Sequence, residues 1–204
     1  MKRATHLACL AAIVLASPCV LAADFPTKPI TLVLGFAPGG PSDVMGRILA
    51  RKLEQVVGQS VVVENRAGAG GNIAGEYLAR ATPDGHTIML GTNGILAVNA
   101  SLYRKINFDP AKDFQPITLV GEQPNIIYVH PSVPANTLAE LVAYAKANPA
   151  KLNFASGGNG TSAHLAGELL KTEAKFNMVH VPMKGTGPAL PHVLAGHVQR
   201  GVSS

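Results

Sequence analysis

The chain has 204 residues, of which 47% are hydrophobic and 14% charged, a globular composition that excludes a disordered or low-complexity protein. Two of its five net positive charges are Lys2 and Arg3, and the other basic residues are scattered singly or in pairs such as Arg51–Lys52 and Arg104–Lys105. No basic stripe interleaved with aromatics is present, so no nucleic-acid partner is expected, whereas a mildly positive field suits a small anionic solute.

The first 22 residues read as an export signal. Lys2 and Arg3 form a positive n-region, "LACLAAIVLA" (Leu7–Ala16) an apolar h-region, and "VLA" (Val20–Ala22) a cleavage site with small residues at its key positions. The apolar run covers only 10 residues, whereas a membrane-spanning helix needs about 20. Both cysteines, Cys9 and Cys19, fall inside this signal. The mature chain is therefore expected to have no disulfide, thiolate nucleophile or cysteine metal ligand, which suits an exported domain stabilised by its own core.

Downstream, "ITLVLGF" (Ile30–Phe36) is a continuous apolar, β-rich run of buried-strand length. "APGGPSD" leads into a helix in which Val44, Ile48, Leu49, Leu53, Val56 and Val57 recur at helical spacing and Gly58 is the stop. "SVVVENRAGAGG" predicts a second strand and a Gly-rich loop, "NIAGEYLARAT" a helix, and "HTIMLGTN" a third strand after the "PDG" turn. Strands alternating with helices predict a parallel α/β sheet with ligand groups at the strand C-terminal ends.

The pattern restarts after the polar connection "NFDPAKDFQP". "ITLVGE" and "NIIYVHP" predict strands, and "NTLAELVAYAKANP" a helix with a capping box of Thr137 and Glu140. "LNFAS" predicts a strand running into "SGGNGTSAHLAGELL", a bare loop and a helix whose buried face is set by Leu165, Leu169 and Leu170. "FNMVHVP", the "MKGTG" loop and "PALPHVLAGHV" make one more strand–loop–helix unit, and "QRGVSS" reads as a frayed tail or an altered end. The change of lobe is expected near residues 115–125.

Three Gly-rich strand-to-helix connections, Phe36–Asp43, Gly91–Gly94 and Gly157–Ser162, stand where such a sheet gathers its ligand-facing loops. A helix N-terminus offers unpaired N–H donors and about half a positive charge, so an oxyanion can bind there without lysine or arginine. Read alone, "GGNG" fits a tight turn capped by Thr161 as well as it fits an anion cradle. Other chemistries lack their residues. Neither "GFAPGG" nor "SGGNGTS" carries the lysine of a phosphate loop, "GAGGNIAG" has Ile73 at the third required glycine of a dinucleotide fingerprint, and Phe154 occupies the first glycine of a nucleophile elbow around Ser156. His164 could orient the loop or act as a base, and His192 and His197 are at the wrong interval for two ligands on one helical face. No metal site or cofactor is expected.

The run from "FPTKPITLVLGFAPGGPSDV" through "VVVENRAGAGGNIAG", followed in order by "ATPDGHTIMLG", "SGGNGTSAHLAGELL" and "VPMKGTGPALPHVLAGHV", resembles the Bug/TctC family, the extracytoplasmic solute receptors of tripartite tricarboxylate transporters. The similarity covers Phe25 to about Gln199. It implies a two-lobed α/β fold of the type II periplasmic-binding-protein kind, C-terminally truncated because family members run on well past this length. It further implies a signal peptide over 1–22, a first lobe over 23–120 and an incomplete second lobe over 121–204.

By the same resemblance, the chain is a non-enzymatic periplasmic receptor, acting as a monomer, that captures a small carboxylate for membrane permease subunits. The implied ligand-binding residues are Phe36, Ala37, Pro38, Gly39, Gly40, Ser42 and Asp43 in the first loop, Thr92 and Asn93 in the second, and Gly157, Gly158, Asn159, Gly160, Thr161 and Ser162 in the third. Backbone N–H groups of Gly158–Thr161, with the Thr161 and Ser162 hydroxyls, would take one carboxylate. Asp43 would face its own helix N-terminus or a ligand ammonium. Met183 stands where the family commonly has an aromatic, which alters the ligand's far end. The rival readings are a sensor for a membrane signalling partner, an exported hydrolase with His164 as base, and a non-functional fragment.

Overall fold

The computed structural model describes residues 25–149 and 151–203; the export signal, with Cys9 and Cys19, lies outside the described residues. Two sheets organise the chain. In the first, β1 (Ile30–Leu34) lies between β2 (Val61–Asn65) and β3 (Thr87–Leu90), all parallel. Being central, β1 buries both of its faces, which is why "ITLVL" is apolar without alternation. Its Ile30, Leu32 and Leu34 pack with Ala50 and Val61.

The second sheet has the order β4 (Ile126–Val129), β7 (Arg200–Ser203), β5 (Asn153–Ser156), β6 (Val179–Pro182). Strands β5, β6 and β7 are parallel and β4 runs antiparallel to β7. Its two faces bury separate clusters: Leu141, Ala145, Phe154, Ala163 and Val202 on one, Ala155, Ala189, Val193 and Val198 on the other.

The helices are α1 (Pro41–Val57), α2 (Asn72–Ala79), α3 (Asn99–Leu102), α4 (Leu138–Ala147), α5 (Ser162–Ala174) and α6 (Thr186–Leu194). Gly58 ends α1 with φ of 69°, a left-handed value that only glycine adopts cheaply. Thr137 and Glu140 form the reciprocal capping box of α4.

Three sequence expectations are corrected here. The helix faces differ from the leucine and valine pattern: Val44, Ile48 and Val56 of α1 and Leu165 and Leu169 of α5 are exposed. Leu49, Leu53, Val57 and Leu170 do pack on the cores as expected, and small residues sit beside them at the closest contacts. Gly46 packs against Leu34, and Gly167 sits on the Phe154 ring, so close that a β-carbon at either position would collide. Close approach of helix to sheet needs small side chains more than large ones here.

"ITLVGE" forms no strand. Ile117 and Leu119 are exposed and no neighbouring strand offers their backbone a ladder. Of the two readings of "QRGVSS", a frayed tail or an altered end, the frayed tail does not hold for Arg200–Ser203. Arg200–Ser203 enters the sheet between β4 and β5 because both flanking strands donate and accept along it.

That insertion carries an arginine into the core. Arg200 is fully buried, its Nε and both Nη atoms have no hydrogen-bond partner among the described residues, and the Phe154 ring lies 5.5 Å from its charge. Burial pulls its pKa down from 12.5 to about 10. A buried cation without a carboxylate is destabilising. Arg200→Met should therefore raise unfolding free energy by about 1–3 kcal/mol in urea denaturation.

Candidate functional site

The ligand-facing loops of both sheets leave the C-terminal ends of parallel strands and meet in one cleft, of about 80 Å³ free volume. The cleft is lined by Phe36, Ala37, Gly40, Pro41 and Ser42 from the first lobe's opening loop, by Thr92 and Asn93 after β3, by Gly157, Thr161, Ser162 and Ala163 after β5, and by Thr186 after β6. Among the described residues no charged side chain lines it.

The first loop is braced from beneath. Asn65, at the end of β2, donates its Nδ2 to the Phe36 carbonyl at 3.0 Å and to Asp43 Oδ1 at 3.1 Å. Asp43 also accepts from the Gly39 N–H at 3.1 Å and from Arg47 Nε at 3.0 Å. The Arg47 hydrogen bond, opposed by burial and reinforced by Gly39 and Asn65, holds the Asp43 carboxyl below its ordinary pKa. Asp43 thus spends its charge on its own helix and loop and does not line the cleft. Pro38 and Gly39 also lie off the lining. They form the ledge on which the second lobe rests: a β-carbon on Gly187 would lie 2.7 Å from the Pro38 carbonyl oxygen.

In the second loop the Asn93 side chain accepts from the Gly94 N–H at 2.9 Å, starting the π-helical turn Gly94–Val98. The neighbouring Thr92, which lines the cleft, has its Oγ1 buried without a hydrogen-bond partner.

The third loop is almost wholly tied to itself. The Gly158 N–H donates to Ser156 Oγ at 3.1 Å, the Gly160 N–H to His164 Nδ1 at 3.2 Å and the Thr161 N–H to the Gly158 carbonyl at 3.3 Å. Thr161 Oγ1 donates to that carbonyl at 2.7 Å and caps α5 by accepting from the His164 N–H at 3.3 Å. These groups are committed, so the loop is a scaffold more than a set of donors. Gly158, Asn159 and Gly160 do not line the cleft. They face the first lobe, where the Tyr103 hydroxyl donates to the Asn159 carbonyl at 3.2 Å and Gly160 abuts Asn99.

Ser162 and Ala163, the first two residues of α5, line the cleft, and their N–H groups precede the first intrahelical bond. The Ser162 hydroxyl reaches Asn125 Oδ1 at 3.2 Å.

Sequence reasoning missed Thr186. It opens α6 behind the Gly185 N-cap, and its N–H lies 3.5 Å from where a Gly157 β-carbon would sit. The signal was present in "VPMKGTGP", a strand followed by a Gly-rich turn and a proline two residues past Thr186. The N-termini of α1, α5 and α6 therefore converge on one small, uncharged cleft.

Serine and histidine also pair nearby, Ser156 Oγ lying 2.7 Å from His180 Nε2. Ser156 is completely buried, so the pair braces the loop and presents no accessible nucleophile. Burial, followed by neighbouring His164, pushes His180 down to about 4. Among the described residues no cluster of His, Cys, Asp and Glu could hold a metal ion, and no helix is long and apolar enough to cross a membrane.

This architecture is that of periplasmic binding proteins. A structure from R. palustris determined with adipate superposes with a TM-score of 0.86 at 38% identity, over 88% of this chain and 60% of that one. MatC from Rhodopseudomonas palustris with bound malate superposes with a TM-score of 0.82 at 34% identity, over 88% of this chain and 61% of that one. The chain belongs to the family described as "Tripartite tricarboxylate transporter family receptor", TctC, whose profile matches residues 45–204. Protein BugT of Bordetella pertussis is 41% identical over 182 residues, which are 88% of this chain and 55% of BugT. The chain thus spans about half the length of this curated relative.

The Asp43 network yields a pH prediction. A depressed carboxyl stabilises the fold above its ordinary pKa of 3.8 and loses that contribution as pH falls through the folded value. Asp43→Ala should lower stability by about 1–3 kcal/mol at neutral pH. The difference from wild type should shrink in denaturation curves taken below pH 4.

Proposed function

We propose that this chain is a periplasmic receptor whose cleft holds a small carboxylate and hands it to the membrane permease of a tripartite tricarboxylate-type transporter, without converting it. One observation carries the reading: three helix N-termini, α1, α5 and α6, aim at a cleft lined by no charged side chain. Each helix end presents about half a positive charge; α5 and α6 add unbonded N–H groups, while α1, which starts at Pro41, adds only that of Ser42. Together they favour an oxyanion through backbone groups, with little demand on side chains. Relatives determined with adipate and with malate support the carboxylate class, and the family description supports the transport role.

In this reading one carboxylate sits at the Ser162 and Ala163 amides, with the Thr186 N–H beside it. Phe36, Ala37 and Ser42 form the facing wall. The buried, unpartnered Thr92 hydroxyl takes a further polar group of the ligand or a bridging water. Solute capture needs the lobes to separate and close, and the contacts across the cleft, such as the Ala37 N–H on the Lys184 carbonyl at 2.8 Å, belong to the closed arrangement.

Malate or adipate added to the purified chain should raise its melting temperature; a flat response across mono-, di- and tricarboxylates and acidic amino acids would refute the reading. Ser162→Pro tests the donor directly. Proline suits the first helical position, and the extended ψ of 156° at Thr161 accepts a following proline. Loss of this one amide from a carboxylate should weaken binding about ten- to a hundredfold by calorimetry. Ser162→Ala, which keeps the amide, should lose much less.

A further inference from the structure

The cleft loop Gly157–Ser162 is held by two histidines that do not themselves line the cleft, and their arrangement gives them a task. His164 Nδ1 accepts the Gly160 N–H at 3.2 Å. A neutral ring accepting at Nδ1 carries its proton on Nε2. His180 stacks on it with ring centroids 4.2 Å apart and 24° between planes. His180 Nε2 in turn meets Ser156 Oγ at 2.7 Å, and Ser156 Oγ accepts the Gly158 N–H at 3.1 Å. The two rings thus form one unit gripping Gly158 on one side and Gly160 on the other.

We propose that neutral His164, backed by His180 and Ser156, is a positioning residue that sets the loop so that the Ser162 and Ala163 amides meet a ligand carboxylate, and that its protonation releases the ligand. This rests on the carboxylate reading above.

The mechanism is a loss of acceptor. A proton taken from solvent onto Nδ1 turns the nitrogen into a donor that faces another donor, the Gly160 N–H. That contact must open, and Gly160 is one residue from the α5 N-cap. The added positive charge attracts the ligand and opposes this effect, and in this proposal the donor–donor conflict prevails.

The surroundings of the ring keep it neutral. Burial lowers the His164 pKa first, Glu168 on the same helix raises it, and Lys171 lowers it. Glu168 and Lys171 are themselves paired at 2.8 Å. From β6 the ring faces His180. From β7 the Arg200 cation lies over Phe154, whose ring packs against His180 at 4.7 Å. From the first lobe the Tyr103 hydroxyl binds the Asn159 carbonyl beside Gly160. Charging His164 therefore requires pH below its ordinary 6.5.

The test uses the full chain with malate and adipate as probes, titrated between pH 8 and pH 5. Wild type should lose affinity on acidification, by about two- to tenfold for one neutral hydrogen bond. His164→Ala should be weakened at every pH. His164→Asn, whose Oδ1 can accept where Nδ1 did and does not titrate, should recover affinity near neutrality and remove the His164 part of the pH dependence. Whatever slope persists in that variant belongs to the ligand's own carboxyls.

A second readout needs no ligand. Amide hydrogen exchange at Gly160 should be slow in wild type and His164→Asn, and fast in His164→Ala and in acidified wild type after correction for intrinsic exchange. Equal pH profiles for wild type and His164→Asn, tighter binding by the acidified wild type, or unchanged Gly160 exchange in His164→Ala would each overturn the proposal. Should neither diacid bind, the exchange result still decides the positioning role, and the carboxylate reading is decided separately by the wider panel above.

Discussion

At the seam of the cleft the backbone of one lobe rests on the backbone of the other. A side chain at Gly187 would strike the Pro38 carbonyl oxygen and the Gly39–Gly40 peptide, and one at Gly40 would lie 3.0 Å from the Gly187 nitrogen. This contact brings the N-termini of α1 and α6 close together. With them comes α5, because β5 and β6 are adjacent parallel strands whose following helices start side by side. The uncharged character of the cleft follows from the same geometry. Where three sets of backbone amides converge, a lysine or arginine is not required for an anion.

The charges near the site are used structurally. Asp43 is surrounded by Arg47, Asn65 and the Gly39 N–H, so a carboxylate beside the cleft stiffens the loop without repelling a ligand. In the second lobe the corresponding task falls to Ser156, His164 and His180, which hold glycines that have no side chains of their own. The first lobe fixes its loop with an ion pair and the second with neutral rings. The paired carboxylate keeps its charge in the mildly acidic range, and the pH response proposed above lies in the second support.

Arg200 is the exception to this order. Its backbone completes the second sheet, but its side chain enters an apolar cluster with nothing to neutralise it. Backbone pairing and side-chain burial conflict at that residue, and the ladder prevails because its neighbours β4 and β5 both need a partner strand.

How much of this was legible before the fold was known differs from residue to residue. Thr137 with Glu140, Gly58, the apolar run of β1 and the Gly-rich loops could be read from the chain, because caps, turns and buried central strands depend on local residue chemistry. The leucines of α5 misled, since a helix pressed onto Phe154 needs Gly167 at the contact and leaves Leu165 and Leu169 outside. The strand at Arg200 was hidden because its pairing comes from β4 and β5, distant in sequence. Local chemistry by itself determined that bare loops would feed helix N-termini at the ends of parallel strands. Only the tertiary structure decided which amides of these loops are already bonded, as at Gly158, Gly160 and Thr161, because a backbone donor's availability depends on every acceptor that folding brings within reach.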